Sequence, residues 1–195
     1  MTRFTDLRWD DGRGIGGMWL FIVTEAFLFV SLFFAYFYLG SRGDVAWPPQ
    51  PPKITLALVM LAILLASSVV LHLGERALKR DRRTLAHLAI GGTILLGLGF
   101  AAVQAMEYRE RLKSLRPSTD AYGSIFYTIT GFHGGHLVLG LLMLVYVLVL
   151  PRLEPAREPP HRPLKNAALY WHFVDAVWVV IVALLYLLPR LTRGA

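Results

Sequence analysis

Two histidines, His133 and His136, stand one helical turn apart in the stretch TGFHGGHLVLG. Side chains at that spacing share a helix face, and neutral imidazole is the commonest metal ligand. Other chemistry-bearing groups are scattered through apolar surroundings: Glu25, His72, Gln104 with Glu107, and His172 with Asp175. Two kinds of chemistry come into view, ligation of a metal or haem and the carrying of protons. A haem held by two imidazoles needs them at matching depth on two helices, whereas His72 and His172 read as shallow and His133 and His136 as deeper. A copper or iron site needs three or four converging ligands, and the spacing points to no such set. With no cysteine in the chain, thiolate ligation and disulfides are excluded.

The same residues also suit hydrogen bonding between packed helices. His172 and Asp175, at i and i+3, can satisfy one another, and His133 and His136 can each find a partner on an adjacent helix. Gly131 and Gly135 form a small-xxx-small pair around His133, which predicts close approach of a neighbouring backbone. Glu25 has no cation near it in sequence. It must be neutral, hydrogen-bonded across helices or in a wet cleft, so a proton-related role and a structural one both stand.

These groups have to be positioned by long apolar elements. Of the 195 residues, 55% are hydrophobic and 17% charged, against about a quarter charged in a soluble domain. The apolar residues gather into blocks that predict membrane-spanning helices at about 14–40, 54–74, 86–107, 123–150 and 168–189. A helix needs roughly 20 residues to cross a bilayer core. The expected fold is therefore an all-α integral membrane protein of five transmembrane helices, forming a single transmembrane domain over residues 1–195. The first block is too long for a secretory signal, contains Glu25, and is followed by no small-residue cleavage site. The blocks lack the alternation that barrel strands require.

Twelve of the 20 cations fall on the side of the N-terminus and eight on the other. This bias predicts a cytoplasmic N-terminus and an external C-terminus, with the basic groups at anionic headgroups and not on nucleic acid. The charged stretch GERALKRDRR predicts a tight hairpin between the second and third helices, and WPPQPP a stiff strap between the first two. Gly12, Gly14 and Gly17 match G-x-G-x-x-G, but with no strand before them and a membrane helix after, the dinucleotide context is missing. Trp19, Tyr170, Trp171 and Trp178 fall near predicted interfaces, where they would act as belt or lipid-groove aromatics. Arginine outnumbers lysine 16 to 4, which points to a GC-rich bacterial genome.

Four motifs in order resemble those of one family, subunit III of the haem-copper respiratory oxidases: GMWLFIVTEAFLFVSLFFAYF, GLGFAAVQAMEY, FYTITGFHGGHLVLG and YWHFVDAVWVV. The resemblance implies an accessory subunit of a proton-pumping terminal oxidase in a bacterial inner membrane. Such a subunit packs against subunit I, beside subunit II and a small subunit IV. It carries no catalytic or redox centre itself, since haem and copper reside in partner subunits. It is associated with bound phospholipid, oxygen delivery, proton uptake and protection during turnover. Glu25 then corresponds to the family's carbodiimide-reactive membrane carboxylate. Gln104, Glu107, His133, His136, His172 and Asp175 correspond to its polar interhelical or lipid-cleft motif. Many members have seven spans; this chain begins where their third would and resembles the five-span form. A quinol oxidase subunit III, a nitric-oxide-reductase-associated homologue and a haem-binding electron carrier are the alternatives.

Overall fold

A computed structural model describes residues 11–42, 47–48, 54–113, 115, 121–153 and 161–193. The described residues form long helices: α1 (Asp11–Ser41), α2 (Ile54–Lys79), α3 (Arg83–Arg111), α4 (Ala121–Leu153) and α5 (His161–Ile181). α5 continues through a π-helical turn, Val182–Leu187, into α6 (Leu188–Arg193). Five spans result, Gly14–Ser41, Ile54–Lys79, Arg83–Arg111, Ala121–Leu150 and Arg162–Leu191, each long and apolar enough to cross a membrane. They run past the apolar blocks into polar flanks, because a helix satisfies its own backbone where lipid cannot. Most of the polyproline strap lies outside the described residues.

The hairpin between α2 and α3 is closed by local chemistry. Asp81 adopts a positive φ of 54°, which its short polar side chain tolerates. Arg82 N–H then reaches back to Ala77 O at 2.9 Å and Asp81 N–H to Leu78 O at 3.0 Å. These two bonds form a Schellman cap that satisfies the last carbonyls of α2. A Cβ on Gly74 would lie 2.9 Å from the Ala89 Cβ, so the two helices pack here through the missing side chain.

α5 is the central element and α1 the peripheral one. Half of α5's most apolar window is buried, against 17% for α1. Trp171 occupies the middle of the bundle. A Cβ at Gly97 on α3 would fall 2.8 Å from its ring, and one at Gly140 on α4 would fall 2.9 Å from it. Its indole N–H donates to Ser67 Oγ on α2 at 3.0 Å. One side chain thus ties α5 to three neighbours.

This packing corrects two expectations. Tyr170, Trp171 and Trp178 are fully buried core residues, not interfacial ones, whereas Trp19 is 53% exposed. α5 is surrounded by other helices, so its large rings have protein to fill where a peripheral helix would offer lipid. Gly131 and Gly135 are not close-approach points within this chain: both are exposed, and a Cβ at either would meet nothing within 4 Å. Among the described residues, Gly74, Gly97 and Gly140 admit a side chain of another helix, on the faces that α2, α3 and α4 turn inward, and Gly40 admits the ring of Trp47.

Candidate functional site

The isolated carboxylate of α1 finds its partner on α4. Glu25 Oε2 lies 2.9 Å from His136 Nε2. The other ring nitrogen, Nδ1, is 2.7 Å from Phe132 O, and a carbonyl can only accept, so Nδ1 carries a hydrogen. Nε2 and Oε2 therefore share a single proton, held either as carboxylic acid and imidazole or as carboxylate and imidazolium. Both states leave the pair neutral as a unit, which suits an apolar membrane. Phe29 packs edge-on against the His136 ring, with centroids 5.0 Å apart. The pair forms one wall of a groove of about 490 Å³ lined also by Phe21, Gly131, Phe132 and Gly135. The glycines that admit no helix keep this groove open.

His133, one turn before His136, has a different setting. It is fully buried, stacks on Trp178 at 5.0 Å and meets Phe100 edge-on at 5.8 Å. Among the described residues neither ring nitrogen has a hydrogen-bond partner, and the Trp178 N–H has none either. The expected interhelical bond therefore forms at His136 and not at His133. Its surroundings are aromatic hydrocarbon.

Gln104 and Glu107 close α3 as a polar cap. The Gln104 amide donates to Thr130 O at 3.1 Å, and Tyr108 donates to Thr130 Oγ1 at 2.6 Å. Glu107 is buried and paired with Arg111 at 2.7 Å. Tyr186 donates to its carboxylate, 3.1 and 3.2 Å from the two oxygens. The Arg111 guanidinium also sits over the Phe126 ring at 4.4 Å. Tyr186 reaches Glu107 from within the π-helical turn, where Leu188 N–H bonds Ala183 O. Pro189 follows directly; it has no N–H for Leu185 O and would crowd that carbonyl, and a widened turn relieves this.

His172 and Asp175 do come together, but through a third residue. Ser68 on α2 donates to Asp175 Oδ2, and its Oγ lies 2.7 Å from His172 Nδ1. The direct distance from His172 Nδ1 to Asp175 Oδ2 is 3.8 Å. One hydroxyl hydrogen is already given to the carboxylate, so His172 Nδ1–H donates to Ser68. His72 pairs with Glu75 at 3.6 Å one turn along α2.

Among the described residues no three His, Asp or Glu side chains gather in one place. Sequence spacing contained the Glu107–Arg111 pair at i, i+4 and did not draw attention to it. Ser67, Ser68, Thr130 and Tyr186 carried no signal, because their roles depend on which helices become neighbours.

Comparison with known proteins gives a consistent result. The family Cytochrome c oxidase subunit III matches residues 11–189. A "Cytochrome c oxidase subunit 3" of Synechocystis sp. is 39% identical over 177 residues, covering 88% of this chain and 74% of that protein. Proteins of the same name from Gallus gallus and Ornithorhynchus anatinus are 39% and 37% identical, each over 87% of this chain and 67% of their own length. The paired groups of α1, α3, α4 and α5 all lie inside the matched region, and this multi-pass membrane protein belongs to the cytochrome c oxidase subunit III family.

Proposed function

We propose that the chain is the non-catalytic third subunit of a proton-pumping terminal oxidase, packed directly against the catalytic subunit I. In this reading subunit II and a small fourth subunit complete the complex, and haem and copper are held by the partner subunits. The observation that carries it is the family match over 179 of 195 residues, within which the conspicuous acid, Glu25, is bonded to a histidine of the same chain. The names of the relatives favour cytochrome c over a quinol as electron donor. The excess of cations on the N-terminal side and the preference for arginine support a cytoplasmic N-terminus in a bacterial plasma membrane.

Lipid retention is supported by the open groove beside Glu25 and His136. Its walls are aromatic and glycine-floored, so an acyl chain can lie against α4. In that position the chain holds lipid at the edge of the catalytic subunit and sustains its oxygen and proton supply. The test compares the oxidase purified with and without this chain, measuring bound phospholipid and the number of turnovers before inactivation. Loss of both on removal is expected. Unchanged lipid content and turnover lifetime would contradict the supporting role.

A further inference from the structure

We propose that the outward face of the α2–α3 hairpin binds an anionic phospholipid, its phosphate held by Arg76 and Arg80 and an acyl chain lying along α2. This place is separate from the groove beside Glu25.

The hairpin's charges point to an anion. α2 leaves its span at Lys79 and α3 enters its own at Arg83, so the turn between them lies where both helices emerge from the apolar layer. Residues 74–83 carry five cations, Arg76, Lys79, Arg80, Arg82 and Arg83, and two carboxylates, Glu75 and Asp81. Both carboxylates are engaged: Asp81 holds Arg83 at 3.0 Å, and Glu75 lies 3.6 Å from His72. Arg76, Lys79, Arg80 and Arg82 are exposed, and among the described residues no carboxylate pairs with them. Nor are they needed as caps, since Ala77 O and Leu78 O are already bonded by backbone N–H groups. The hairpin thus holds more positive charge than its own chain neutralises.

The surface beneath those charges points to a lipid. Arg76 and Arg80 are four residues apart and share a helix face. On the same face Leu65, Val69 and Leu73 are exposed and apolar. His72 turns outward beside them and is held by Glu75. From Leu65 to Arg80 the face runs 15 residues, roughly 22 Å at 1.5 Å per residue. One leaflet of a bilayer, headgroups included, is about 20–22 Å thick. The face therefore matches a single phospholipid in length and in the order of its polarity. On α3, Leu85 and Leu88 are exposed beside the same hairpin and extend the apolar part.

The headgroup chemistry follows from the side chains. Guanidinium groups meet phosphate oxygens in paired hydrogen bonds. A lipid with net negative charge gains further from Lys79 and Arg82 nearby, whereas a zwitterionic lipid brings an ammonium up to the same cations. An acidic soluble peptide would meet the cations but leave the apolar face uncovered.

Photoactivatable phospholipids test this, with the chain in the complex it forms and reconstituted in bilayers. Two probes carry the same diazirine acyl chain, one under a phosphatidylglycerol headgroup and one under phosphatidylcholine, and adducts are mapped by peptide mass spectrometry. The glycerol probe is expected to label residues 65–73 about fivefold more than the choline probe. Arg76→Gln combined with Arg80→Gln should bring the two probes level. The unaltered chain gives a second measure that misfolding does not touch: salt at about 1 M, with a screening length of about 3 Å, should reduce the preference, and millimolar inorganic phosphate should leave it unchanged. Equal labelling by the two probes, a preference that survives both the glutamine changes and high salt, or no labelling by either probe because another protein covers the face, would overturn the assignment. Displacement of the probe by inorganic phosphate would overturn it as well, by showing a phosphate site that needs no lipid.

Discussion

At the scale of single residues, the two histidines that invited a metal reading part ways. His136 shares a proton with Glu25 across α1 and α4, and substitutions should separate geometry from charge. Glu25→Gln keeps a donor for His136 Nε2 and is expected to hold stability within about 1 kcal/mol. Glu25→Ala leaves that nitrogen unpaired at a cost of about 1–3 kcal/mol; thermal unfolding in detergent distinguishes the two. His133 is the opposite case, with two buried nitrogens that bond to none of the described residues. His133→Phe keeps the stack on Trp178 and removes both, so a gain of about 1 kcal/mol is expected. A loss above about 2 kcal/mol would show that those nitrogens hold a partner. The sequence made both histidines legible as unusual, but their difference depends on which way one turn of helix faces.

At the scale of elements, apolar length was enough to find the five spans seen among the described residues, because a bilayer allows few alternatives to a long helix. Which glycines admit a neighbour was not legible. The motif spacing favoured Gly131 and Gly135, yet Trp171 wedges between Gly97 and Gly140, and only tertiary packing decides that. Gly140→Ala places a Cβ against a fully buried indole and should cost about 1–3 kcal/mol. Gly135→Ala meets nothing and should be neutral or stabilise α4 by up to about 1 kcal/mol. Equal effects in thermal unfolding would refute the corrected packing. The buried Glu107–Arg111 pair, completed by Tyr186 from the π-helical turn, gives a further contrast. Arg111→Met strands a buried carboxylate and should cost about 3–5 kcal/mol. Tyr186→Phe removes one donor and should cost about 1–3 kcal/mol.

At the scale of the whole molecule, the chain is a helical scaffold whose polar groups bond across helices: α1 to α4, α3 to α4 and to the π turn, and α2 to α5. The four motifs made this family legible in the sequence, since each groups residues that the fold later pairs. The contacts to other subunits were not legible, because one chain's pattern marks what is polar and leaves open what covers it. The most direct test of the scaffold account is the optical spectrum of this chain, first within the detergent-purified complex and then after dissociation from its partners. A haem spectrum is expected to accompany the tagged chain in the complex and to vanish from the chain once separated. A Soret band that stays with the separated chain, or a chain that purifies from native membranes with no haem protein at all, would contradict it.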